Sequence, residues 1–130
     1  MEPKQMLEIK KGSIVRTMKE YSLYKKELVE AQSKLESIKA TGDEHEVKWA
    51  QNLVNETTAV LEDTKKRLTG FASDLDQFMR EKMKPLVKDP SAPRMLKSMF
   101  LECKTAIEEL TKTHPEIDFK SGQKTEAQLT

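Results

Sequence analysis

Apolar residues recur along this chain at alternating spacings of three and four, in two long runs joined by four residues. The first run sets Leu7, Ile14, Tyr21, Leu28 and Leu35 at one position of a seven-residue repeat, and Thr17, Tyr24, Ala31 and Ile38 at the other. The second carries Val47, Ala50, Val54, Thr57, Leu61, Thr64, Leu68, Phe71, Leu75 and Phe78. An α-helix turns once in about 3.6 residues, so such spacing keeps one apolar stripe pointed at a neighbouring helix. The connection Ala40-Thr41-Gly42-Asp43 is too short for anything but an antiparallel hairpin. The numbers of facing residues should then sum to about 83, which sets Gly12 near Phe71, Leu28 near Val54 and Leu35 near Val47.

Punctuating residues give the ends. Pro3 suits a first helical turn, and the first helix is expected to run to about Lys39. Gly12-Ser13 interrupts its pattern. An interior glycine costs about 1 kcal/mol relative to alanine, so it needs a reason: room for the Phe71 ring, or a slight bend. Asp43 followed by Glu46 forms a capping-box pattern for the second helix, and Pro85 should stop that helix at about Lys84. Pro90 and Pro93 exclude a continuous helix through the next segment, and Ser91 or Asp89 is placed to cap a third helix. This third helix carries Leu96, Met99, Phe100, Cys103, Ile107 and Leu110 and ends at Thr113-His114-Pro115. It is half as long as its partners and covers only part of the hairpin groove. The predicted fold is all-α: an elongated three-helix bundle over residues 1–114, made of a long antiparallel helical hairpin and a shorter third helix. Residues 115–130 read as a flexible tail with Ile117 and Phe119 as its only anchors.

Composition agrees with a long-helix protein. Charged residues make up 35% and apolar residues 36%, while aromatics are 5%, too few for a thick core. The net charge of +1 gives no strong push toward nucleic acid or an anionic membrane. Between Lys4 and Lys39 there are nine Lys or Arg against five Asp or Glu; between Asp43 and Lys84, seven against nine. The two helices attract one another, and the first has a mildly basic outer face. The one cysteine, Cys103, cannot form an internal disulfide. No apolar run approaches the roughly 18 residues needed to span a bilayer, and the N-terminus lacks the apolar core of a signal peptide. A cytoplasmic protein is the expectation.

Candidate chemistry is sparse. The sequence has no glycine-rich phosphate loop and no Cys/His cluster at metal spacing. His45 and His114 are the only histidines and stand far apart. Cys103 lies on the apolar stripe of its helix, where a buried inert thiol is expected rather than a nucleophile. No cofactor, metal or small-molecule substrate is expected, and no enzymatic activity. Met18, Met79, Met83, Met95 and Met99 read as seam fillers, Tyr21 and Tyr24 as core. Trp49 stands beside the seam, as an anchor for a partner or as a lid on the loop end. Lys10, Lys11, Arg16, Lys19, Lys25 and Lys26 spread around the first helix, and Lys65-Lys66-Arg67 form a basic run that the hairpin register brings opposite Arg16 to Lys19. Such a patch attracts an acidic protein; nucleic acid is disfavoured because no aromatic platform accompanies the cations.

The stretch Glu8 to Glu27, EIKKGSIVRTMKEYSLYKKE, resembles the first helix of the tubulin-binding cofactor A (tubulin-specific chaperone A) family. Gly12, Arg16, Lys19, Glu20, Tyr24, Lys26 and Glu27 carry the resemblance, and Lys65-Lys66-Arg67-Leu68 followed by Asp74-Leu75 is similar to a run in the family's second helix. With the plan of two long helices and a short one, it covers about Met6 to Leu110. The resemblance implies a non-catalytic three-helix bundle that takes up β-tubulin folding intermediates released from the cytosolic chaperonin and holds them for heterodimer assembly. It also implies a cytoplasmic, microtubule-linked setting. Some members have a proline near the middle of the second helix; Ala59-Val60-Leu61-Glu62-Asp63 has none, so a kink there is left open.

Two rival readings come from other classes. A prefoldin-like holding chaperone needs β-hairpins between its long helices, for which Ala40 to Asp43 leaves no room. A generic coiled-coil scaffold is disfavoured by the short third helix and the proline linker. Because most seam residues face the bundle interior, partner contacts are expected off the seam. The candidate β-tubulin-binding surface is Lys10, Lys11, Arg16, Lys19, Lys26, Trp49, Lys65, Lys66 and Arg67, with the groove the third helix does not reach.

Overall fold

The computed structural model describes residues 2–120. In chain order it contains α1 (Pro3–Thr41), α2 (Glu44–Phe78), a π-helical turn (Met79–Met83), α3 (Lys84–Lys88) and α4 (Arg94–Thr113). No strand occurs among the described residues. The fold is all-α, a long helical hairpin followed by a shorter helix, as the apolar repeats predict.

The hairpin turn is built by two adjacent residues. The Gly42 N–H donates to the Ile38 carbonyl at 2.6 Å. A β-carbon on Gly42 would lie 2.8 Å from that same oxygen and 2.6 Å from Ile38 Cγ2, so no larger residue fits. Asp43 then caps α2: its Oδ1 accepts from the Glu46 N–H at 2.8 Å. Glu44 and Glu46 add negative charge to the first turn, where the helix dipole favours it. Downstream, α2 is unbroken through Ala59–Asp63.

Pro85 does not stop the helix. Just before it, the Lys84 N–H donates to the Met79 carbonyl, five residues back, and the helical path continues through α3 to Lys88. Proline lacks an N–H and its ring collides with the carbonyl four residues earlier. The wider turn shifts that ladder by one residue, so Pro85 enters near the start of α3. The true stop is Pro90, which holds Asp89 extended at φ −66° and ψ 125°. Neither Asp89 nor Ser91 caps α4. The Asp89 carboxylate accepts from the Ser91 N–H at 2.9 Å and its hydroxyl at 2.8 Å, closing the linker turn instead. At the start of α4 the N–H groups of Leu96 and Lys97 donate to the Pro93 carbonyl.

The chain divides into two units. One comprises residues 1–18 with 67–130, the other residues 19–66. In the first, Leu7, Ile14, Leu68, Ala72, Leu75, Met83, Cys103 and Leu110 are fully buried. The Cys103 thiol donates to the Leu7 carbonyl at 3.6 Å, tying α4 to α1. Lys10 meets Asp74 across the α1–α2 pair, one residue from the predicted register. After α4, His114, Ile117 and Phe119 are buried as well. The expected tail lies otherwise in residues 121–130, outside the described residues.

Two sequence expectations fail in this unit. The seam spacing points Phe71 inward, but it is 37% exposed and Ala72 takes the buried position. A straight helix drifts by about 20° per heptad against a strict seven-residue repeat, so the seam passes from Leu68 to Ala72 by a step of four. Gly12, in turn, makes no room for Phe71: a β-carbon there would meet only Arg16 Nη1, at 3.2 Å.

In the unit 19–66, Tyr21, Ala31, Leu35, Ala50 and Thr64 are buried. Lys34 lies 4.6 Å from the centroid of the Trp49 ring, which matches the predicted register. Polar seam residues satisfy themselves locally. Thr57 and Thr64 each donate a hydroxyl to the carbonyl four residues back, at 2.8 Å, so threonine enters the seam without an orphaned hydroxyl.

Candidate functional site

The basic residues singled out by sequence fall into distinct situations. Lys10 is ion-paired to Asp74 and stands 5.4 Å from the Phe78 ring centroid. Lys11 pairs with Glu102 of α4 at 3.6 Å. Both ammonium groups therefore serve the interior edges of their own unit. Arg67, in the same unit, and Lys65, in the other, are exposed and have partners of their own. Arg16, Lys19, Lys26 and Lys66 are exposed, and among the described residues none of the four has an ion-pair or hydrogen-bond partner. Arg16 belongs to the first unit; Lys19, Lys26 and Lys66 belong to the second.

Exposed apolar side chains accompany the second group. Trp49 is 53% exposed beneath Lys34, an arrangement in which ammonium and ring attract one another. Leu23, Val29 and Val60 of the same unit are also exposed. A heptad pattern does not reveal these three, because it scores only positions on the seam. Trp49, Leu53, Glu56 and Val60 succeed one another at steps of four, three and four, so they share one face of α2. Beside that face, a hollow of about 270 Å³ is lined by Glu27, Glu30, Ala31, Lys34, Leu53 and Thr57. Met79 and Met83 are buried as predicted, but Met95 is 64% exposed and leaves the seam.

Cys103 is buried, and burial pushes its thiol up to about 11, with Lys11 pulling down and Glu102 pushing up. Such a thiol is protonated across the physiological range and is a poor nucleophile. Among the described residues no group of three or more His, Cys, Asp or Glu side chains is placed to hold a metal ion. No helix among them is long and apolar enough to cross a membrane. The surface offers contact: isolated cations and half-exposed apolar side chains on helices.

Comparison with curated proteins and with solved structures finds no match. The family model described as tubulin binding cofactor A matches residues 2–92, which takes in α1, α2, the π turn and α3 and stops just short of α4. That span is well over half of the sequence and contains the residues on which the resemblance rests: the chain belongs to the tubulin binding cofactor A family.

Proposed function

We propose that this protein binds β-tubulin folding intermediates after their release from the chaperonin and holds them for assembly of the αβ heterodimer. Family membership over residues 2–92 is the observation that carries this reading. In it the work is done by binding, in the cytoplasm, without nucleotide or catalysis. The contacts fall on exposed groups: Arg16 and Arg67 in one unit, and Lys19, Lys26, Trp49, Lys65 and Lys66 in the other. Lys10 and Lys11 contribute less, because Asp74 and Glu102 already occupy them.

The test is capture of β-tubulin by the purified protein from a folding extract. Wild type is expected to retain β-tubulin, and salt is expected to weaken that retention, since exposed charges are screened within about 8 Å at physiological ionic strength. The double reversal Lys66→Glu, Arg67→Glu should lower capture by about tenfold and flatten its salt dependence, with helicity kept. Full capture by the double reversal would remove the basic run from the contact. No capture by wild type would remove the proposal.

A further inference from the structure

Gly12 stands in the interior of a 39-residue helix, where glycine is among the least favourable residues. The two usual reasons for such a glycine are absent. The backbone there is not left-handed, since no glycine among the described residues has positive φ. Nor does any packed neighbour demand the missing side chain: a β-carbon would meet only the tip of Arg16, at 3.2 Å. The missing side chain leaves a notch. A hollow of about 250 Å³ is lined by Glu8, Lys11, Gly12, Val15 and Met99, all within the unit that holds α4. The hollow is open to solvent, and Val15 and Met99 supply its apolar lining beside Gly12.

The charges around the notch are unequal. Glu8 pairs with Lys4 at 3.4 Å, and Lys11 pairs with Glu102 at 3.6 Å. Arg16 is exposed, leans over Gly12, and has no partner among the described residues. Arg16 does not line the hollow, but its guanidinium reaches Gly12 at the edge, where it is the charge left over, a fork suited to a carboxylate.

We infer that the Gly12 notch takes an apolar side chain of the tubulin partner while Arg16 pairs with a carboxylate on the same partner segment. This rests on the proposed function and names the chemistry by which one part of the partner is recognised. Gly70 is the internal contrast. It too is an interior helical glycine, its β-carbon would meet nothing, and it does not line the notch.

The test uses the full chain and β-tubulin released from the chaperonin, with thermal unfolding measured beside capture. Gly12→Leu fills the notch and should lower capture by about tenfold without lowering the unfolding temperature. Gly12→Ala is the milder filling, whose β-carbon meets only a movable side-chain tip, and should lower capture severalfold. Arg16→Ala should lower capture severalfold and reduce its salt dependence. Gly70→Ala should raise the unfolding temperature and leave capture as in wild type. Wild-type capture by folded Gly12→Leu and Gly12→Ala would overturn the inference while leaving the proposed function standing. Absence of capture by wild type would overturn both.

Discussion

At the scale of single residues, burial decides behaviour more than residue type. Cys103 is the one cysteine, and its thiol lies within 3.6 Å of a backbone carbonyl with no exposed surface. With its pKa pushed up to about 11, roughly a thousandth of it is thiolate at pH 8, against about a quarter for a thiol titrating near 8.5. Labelling by a disulfide reagent at pH 8 should therefore be at least about a hundredfold slower in the native protein than in urea. Equal rates in the two states would show that the thiol is not sealed by Leu7 and its neighbours. The apolar seam position of Cys103 makes this legible in the sequence. Phe71 and Ala72 are not legible in the same way. A pattern read by hydrophobicity prefers phenylalanine, whereas the drift of a straight helix hands the buried position to its small neighbour.

At the scale of elements, the hairpin is readable because its signals are local and unambiguous. Gly42 and Asp43 act within one turn of each other, and both do what their residue types suggest. The segment around Pro85 defies the sequence pattern because proline rules describe an α-ladder, and a π turn offers another ladder. The linker beyond it shows the same competition. An aspartate two residues before a serine can cap a helix or close an Asx turn, and here the turn wins. That choice has a signature in pH. The Ser91 N–H, and then its hydroxyl, donate to the Asp89 carboxylate, Lys97 adds attraction, and slight desolvation opposes them; the carboxyl is held below its usual range. A carboxyl depressed in the folded state lends stability that is present above the ordinary range near pH 3.9 and is lost as pH falls through its lower native value. An NMR titration should place Asp89 below the other exposed carboxylates, and Ser91→Ala should raise it toward them. An Asp89 that titrates with the rest in both proteins would mean that the turn is held by its backbone alone.

At the scale of the whole molecule, the two units differ in how they are held together. Leu7, Ile14, Leu68, Leu75, Met83 and Leu110 are among the fully buried side chains of the unit containing α4, and Ile117 and Phe119 add to them. Of these, Leu110, Ile117 and Phe119 lie beyond the family match, which ends at residue 92. The unit 19–66 buries Tyr21 and Leu35 as its only large apolar side chains, with Ala31, Ala50 and Thr64 between helices. Burying one large apolar side chain is worth about 1.5–3 kcal/mol, so the second unit has far less to lose on opening. Hydrogen exchange should therefore report lower opening free energies for amides of residues 22–64 than for residues 68–83 and 103–113. Uniform protection across both would show that the helices open only as wholes, whatever the distribution of the core. The unit with the smaller core exposes Leu23, Val29, Trp49 and Val60. A partner settling on those side chains would supply the burial that this unit lacks. In the presence of tubulin, protection should then rise most within residues 22–64, because binding to the closed form raises the cost of opening by mass action.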